Sequence, residues 1–178
     1  AVEAAIINGG GSIVGLDGSG MAATHSATLD ISDAAKLTSA ILLDMRQGMG
    51  KYGLSPTELV YIVSQNGYYD LLDDTSFQTM DEVGSDLAVR ITGTVGAVFG
   101  TPVVVSDQFA AEGAGIPGAF VVYKRNYVIP RLRGVTVEQD YQVMDQRRVI
   151  VASQALGFEE LVAGATGHEP VVKIDYIA

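Results

Sequence analysis

The chain has 178 residues, 48% of them apolar, with 11 Lys or Arg against 21 Asp or Glu and no cysteine. That apolar content with positive mean hydropathy excludes a disordered chain, and the length suffices for one domain with a substantial core and room for two lobes. Without cysteine, disulfides and thiolate metal sites are excluded, which fits a reducing cytoplasm; a net charge of −10 disfavours nucleic-acid binding, whose affinity comes from neutralising cations.

No apolar run approaches the ~18 residues of a membrane span, and no charged and apolar leader marks a secretory signal. His25 and His168 lie too far apart to form a local metal motif. Residues 1–118 hold four basic and fourteen acidic residues, whereas residues 119–178 hold seven of each, so all the excess negative charge lies in the first two thirds. Lys124, Arg125, Arg131, Arg133, Arg147 and Arg148 crowd one later stretch, balanced by Glu138, Asp140 and Asp145. Such a stretch reads as a charged strand surface that pairs with another strand or subunit.

In chain order, "AVEAAIINGGGS" reads as the last turns of a helix stopped by Asn8 and three glycines, as in a piece of a longer chain. Residues 9–28 read as a loop and a short strand, with no lysine for a phosphate cradle and no nucleophile elbow. Ser32 or Asp33 can cap a helix running to about residue 50, with Leu37, Ile41 and Met45 on one face and Gly48, Gly50 and Gly53 ending it. After Pro56 a buried strand follows, Leu59 to Val63, then a short helix from Gln65 with Tyr69 and Leu72 packing inward.

Residues 91–106 read as two strands hinged at "GTP", with Gly93, Gly96 and Gly100 marking bends. From residue 119 the chain reads as strand throughout. In "GVTVEQDYQVM", Val135, Val137, Tyr141 and Val143 alternate with Thr136, Glu138, Asp140 and Gln142, which predicts a one-sided sheet. "RRVIVAS" and "PVVKIDYI" add strands, with Pro170 suited to a strand start. No repeat of 20 to 50 residues is visible in the chain. The order of elements is α+β, with strands dominating the second half.

The stretch "GAGIPG", Gly113 to Gly118, has dinucleotide-fingerprint spacing. However, Pro117 sits inside it and the strand-like "AFVVYKRNYVI" follows where a helix should open, so it reads as a loop between strands. A small-molecule or enzymatic use of that loop stays as an alternative. His25, Ser26 and Asp30 cluster in "THSATLD" without an elbow or oxyanion signature, and read as a loop with one histidine. Asp70, Asp73 and Asp74 fall on one helix face at the head of the acidic stretch to Asp86, and read as a solvated acidic face, with a divalent cation as the alternative. Glu138 and Asp140 read as an exposed cross-strand pair, with acid and base catalysis as the alternative. No constellation points to a cofactor, a metal or an enzyme.

The succession "ELVYIVSQNGYYDLLDD", "VGAVFGTPVVVSDQF", "AFVVYKRNYVIPRLRGVTVEQDY" and "RRVIVASQALGFEELVAGATGHEPVVKIDY" resembles the C-terminal part of tailed-bacteriophage major capsid proteins, which have the HK-ninety-seven-type fold. In that family a strand ending in Ser leads into a short helix. A "G.PVV.SD" strand pair and a "Y.I..R..V.VE.D" hairpin come next, and an arginine-containing strand leads to the closing strand. The opening "AVEAAIINGG" resembles the end of the family's spine helix. The resemblance implies mixed and antiparallel sheets with flanking helices, in an axial-type domain over about residues 31–130, with residues 1–30 and 131–178 belonging to the peripheral domain. It also implies that an N-terminal arm, an extended loop and most of the spine helix are not in this sequence, which corresponds to about half to two thirds of the subunit.

The function implied is a structural, non-enzymatic subunit of an icosahedral head shell, made in the bacterial host cytoplasm and located in the virion. Its partners are copies of itself in hexamers and pentamers, with packaged DNA nearby but not bound by sequence, and no membrane. An encapsulin-type compartment shell is the alternative of the same fold. The implied contact residues between subunits are Lys124, Arg125, Arg131, Arg133, Arg147, Arg148 and Gly115. The glycine-rich loops 9–20 and 113–118 are expected to flex between hexamer and pentamer.

Overall fold

The computed structural model describes residues 2–10, 13–18, 22–30, 35–74, 96–110 and 113–177. Its elements are α1 (Val2–Asn8), β1 (Ala23–Thr24), β2 (Leu29–Asp30), α2 (Ser39–Gly48), β3 (Leu59–Val63), α3 (Gln65–Asp73), β4 (Ala97–Val98), β5 (Thr101–Val105), β6 (Pro117–Tyr123), β7 (Tyr127–Val128), β8 (Arg131–Gln142), β9 (Arg147–Leu156), β10 (Glu159–Glu160) and β11 (Val171–Ile177). The result is an α+β fold with mixed and antiparallel pairing.

A central sheet runs β1-β11-β6-β3-β5-β4, with β2 also on β11. It takes strands from all three segments of the expected domain division. β6 is antiparallel to both neighbours, pairing Tyr61 with Val121 on β3 and Val172 with Val121 on β11, while β3 and β5 are parallel. Strand alternation sends Leu59, Tyr61, Val63, Ala119, Val121, Val172, Ile174 and Tyr176 to one face, where they meet Leu42 and Met45 of α2, Met49 just after it, and Leu71 of α3. Phe120, Val122 and Val171 point to the other face and pack with Ile7 of α1, Leu16 and Phe158. The core therefore has two halves divided by one sheet, and Tyr61, which donates to Leu42 O at 3.1 Å, has its phenol pushed up to about 12 by burial.

Helix α1 ends as expected, with Gly9 at φ 79° donating to Ala5 O at 3.0 Å. Helix α2 starts later than the pattern suggested: Ser32 and Asp33 lie outside the described residues, and Thr38 is the cap, its hydroxyl accepting from Ile41 N at 3.3 Å. Leu37 is buried but precedes the helix, whose inward face is Leu42 and Met45 with Ile41 packed beside them, and Met49 continues that face just after its end. Helix α3 begins at Gln65 as expected, with Ser64 Oγ accepting from Gly67 N at 3.2 Å. Tyr69, expected inward, is 58% exposed; Gly67 and Leu71, one turn apart, occupy the buried stripe with Leu72 beside them.

The three aspartates of α3 are not a solvated acidic face. Asp74 is buried, and its carboxylate accepts from both the amide and the hydroxyl of Ser39 at 2.7 Å. Asp70 accepts from Leu37 N at 3.1 Å, and Asp73 pairs with Lys36 at 3.3 Å. Asp70 and Asp74 thereby satisfy amides at the start of α2 that have no partner within the helix. The acidic residues from 75 to 86 lie outside the described residues.

The other large element is a ribbon, β8 against β9, in register from Thr136–Ser153 to Gln142–Arg147, with irregularities near Gly134. The alternation read from sequence is present, but none of the described residues covers the apolar side: Val137, Tyr141 and Ile150 are 64%, 55% and 65% exposed. Periodicity reports which side chains share a face and is silent about what lies opposite.

Asp74→Ala is expected to lower the unfolding free energy by about 2–3 kcal/mol, because it strands a buried amide and hydroxyl, whereas Asp73→Ala, at an exposed pair, costs about 0.5 kcal/mol or less. Urea denaturation of the two variants side by side reads the difference; equal losses would return the aspartates to a generic charged surface.

Candidate functional site

The six expected contact cations separate into three places. Lys124 and Arg125 lie in the helical turn after β6, where Lys124 donates to Thr57 O at 2.8 Å and Arg125 pairs with Glu58 at 2.8 Å. Tyr123 donates to the other Glu58 oxygen at 2.9 Å, and that hydrogen bond is the first cause raising its phenol above the ordinary range. Arg131 and Arg133 sit at the base of the ribbon, and Arg133 donates to Ser153 Oγ across the strands at 2.9 Å. Arg147 and Arg148 sit at its tip, where Arg147 pairs with Asp145 at 3.2 Å and donates to Gln142 at 3.0 Å. At ~3.3 Å per residue, the twelve residues of β8 put base and tip on the order of 36 Å apart. Arg131 and Arg148 form no ion pair among the described residues.

In the "GAGIPG" loop two amides that a phosphate cradle would use are turned to backbone partners: Gly115 N donates to Tyr176 O at 2.8 Å and Ile116 N to Gly113 O at 3.0 Å. Tyr176 N closes the loop by donating to Ile116 O at 2.9 Å. Gly115 has φ 78°, with open space where a Cβ would sit. His25 does not form a triad: its Nδ1 accepts from Ala27 N at 3.1 Å in a local turn, and His168 Nδ1 accepts from Lys51 N at 3.2 Å. Glu138 and Asp140 stay exposed on one side of the ribbon, opposite Val151 and Val149. No group of three or more His, Cys, Asp or Glu able to hold a metal occurs among the described residues, and no described helix is long and apolar enough to cross a membrane.

Two polar clusters escaped the sequence reading. Lys173, on β11, pairs with Asp17 at 2.7 Å and Asp175 at 3.3 Å, anchoring the 13–18 loop to the sheet. Burial alone would lower the lysine, but the hydrogen bond and charge of Asp17, then those of Asp175, more than offset it and hold the ammonium above its usual range. At the ribbon base, β7 pairs with β10, and the Tyr127 ring stacks on Phe158 with centroids 5.3 Å apart. Here Tyr127 Oη and one Glu160 oxygen are buried without a hydrogen-bond partner. Burial, then the charges of Glu159 and Glu169, push the Glu160 carboxyl up. The only sequence signal for this cluster was a run of two glutamates.

No family model matches the chain. In sequence it is 39% identical over 127 residues to the major capsid protein of Escherichia phage T5, a stretch that covers 71% of this chain and 28% of that protein. In structure it superposes on a capsid chain of an empty GTA particle with a TM-score of 0.65 at 14% identity, covering 98% of this chain and 60% of that one. A chain of Mycobacterium phage Che8 gives 0.64 at 15% identity, covering 87% and 53%. The fold is therefore that of the HK-ninety-seven-type capsid proteins. The chain is a portion of a tailed-phage-type major capsid protein, spanning less than a third of the matched T5 protein and about three fifths of the matched GTA capsid chain. A sequence match to a phage capsid protein does not favour the compartment-shell alternative.

Because ionisation of Glu160 is opposed in the folded state, its contribution to stability is largest when both states are protonated and declines as pH rises above the ordinary glutamate value. Glu160→Gln is expected to raise the melting temperature near neutral pH and to flatten that decline, read by calorimetry across the carboxylate range. An unchanged pH profile would remove Glu160 as its source.

Proposed function

We propose that this chain is part of the subunit that builds the icosahedral head shell of a tailed phage or prophage. The sequence match to a phage major capsid protein is the observation that carries this reading. The ribbon supports it, since a two-stranded sheet with apolar residues on an open face is marginal alone and gains from a neighbour. The chain acts as a structural element with no reaction to catalyse. In this reading the subunit is made in the host cytoplasm and ends in the virion, surrounding DNA that it does not read by sequence. Negative charge on the first two thirds keeps a DNA-facing wall from adhering to its cargo.

In this reading about residues 31–130 form the axial-type domain, and residues 1–30 and 131–178, the ribbon among them, belong to the peripheral domain. Lys124, Arg125, Arg131, Arg133, Arg147 and Arg148 are contact residues between copies, and Gly115 lies in a turn at a rim. Head-to-tail contacts of this kind are heterologous and close into rings.

Expression of the complete reading frame in bacteria, viewed by negative-stain microscopy, is expected to give uniform closed shells; only monomer or amorphous material would overturn the reading. Reversing Arg131 and Arg133 together to Glu is expected to block shells while leaving the subunit's melting temperature within a few degrees, and normal shells would remove the ribbon base as a contact. Gly115→Leu strains the left-handed turn by about 1–2 kcal/mol and is expected to reduce shell yield more than thermal stability. A fall in melting temperature at full yield would make Gly115 a folding residue.

A further inference from the structure

β4 and β5 are joined by a two-residue loop, Phe99–Gly100, between the paired Val98 and Thr101. Both loop residues have positive φ, 48° and 75°, the geometry of a type I′ turn, for which Asn-Gly is the favoured pair. A phenylalanine in the left-handed region costs about 1–2 kcal/mol, and burial does not compensate, because Phe99 is 51% exposed. Strain held at an exposed aromatic points to a contact made outside the described residues.

The surroundings of Phe99 are fixed in place. Arg46 donates to Gly53 O at 2.6 Å and to Leu54 O and Phe99 O at 3.3 Å, joining the hairpin tip to the 50–54 turn. Phe99, Leu43 and Leu54, the last 77% exposed, line a shallow depression of about 570 Å³. Arg46 lines it, and the neighbouring turns add further cations: Lys51, 4.9 Å above the Tyr52 ring, Lys124, which donates to Thr57 O, and Arg125, paired with Glu58. Thr57 and Glu58 lie next to Pro56, whose carbonyl accepts from Thr101 at the start of β5. At the far end of β5 the charge is opposite. Ser106 donates to Glu3 at 2.6 Å, and Asp107 follows, with both acids exposed. A sheet that is cationic and apolar at one end and acidic at the other complements a copy of itself head to tail.

We propose that the Phe99 tip, with Leu43, Leu54 and the cations around residues 50–58, docks on the acidic opposite end of the central sheet of a second copy. This inference rests on the shell-subunit reading and names one surface within it. The test uses the complete subunit. Phe99→Asn installs the favoured turn pair and removes the ring; the unassembled subunit is expected to melt at the same or a higher temperature, while the assembled fraction at fixed concentration falls about tenfold or more, the effect of losing a buried aromatic anchor. Lys51→Glu and Asp107→Lys are each expected to weaken assembly, and the double variant to recover it. Unchanged assembly of Phe99→Asn, a lowered melting temperature in that variant, or no recovery in the charge swap would overturn the inference while wild-type shells still stand. Failure of the wild-type subunit to form shells would instead overturn the shell-subunit reading itself.

Discussion

Strand β6 is buried along all but its last residue, and the rest of the molecule is arranged on its two faces and two edges. A buried strand must pair all its backbone groups, which β6 does against β3 on one side and β11 on the other. Those partners lie about sixty residues before it and fifty after it in the chain, so the core forms only when distant segments meet. The Pro-Gly pair that opens β6 fits this constraint. Pro117 has no amide to donate, and the β6–β11 register shifts at that point. At Gly118 a Cβ would come within 2.5 Å of Leu29 Cδ1 and 2.8 Å of the Tyr176 ring, so any side chain there would push the residues that close over the strand aside.

How much of this was legible depended on whether the cause was local. β3, β6 and β11 could be read from dense apolar runs, and the start of α3 from the serine that caps it, because each signal lies inside its own element. The start of α2 could not, since Asp70 and Asp74, more than thirty residues downstream, hold Leu37 and Ser39 in place. For the same reason Asp70 and Asp74, read as part of a solvated face, accept from backbone amides at the start of α2, while Asp73 pairs with Lys36 at the surface. Tyr69 shows the limit of an apolar count on a short helix: a residue two positions from the buried Gly67 and Leu71 points outward whatever its hydrophobicity.

Charge was legible as an amount but not as an arrangement. Six cations close in sequence lie at a turn, at a ribbon base and at a ribbon tip, because an extended strand moves consecutive residues apart by ~3.3 Å each. The Phe99 turn left even less trace. "FGTP" signals a bend, yet nothing in the letters says that phenylalanine rather than glycine enters the left-handed region first, or that Arg46 holds its carbonyl.

The sheet and the ribbon therefore differ in what they need. The sheet fills both of its core halves with residues of its own chain. The ribbon leaves Val137, Tyr141 and Ile150 in water, and burying a side chain of that size is worth about 1.5–3 kcal/mol. Whatever covers that face stabilises the ribbon by mass action, so its order rises with the concentration of the covering surface while the core remains indifferent to it. A subunit built this way keeps its fold apart from its contacts, and contact residues can then change without loss of the core, provided that β6 keeps both its edges paired.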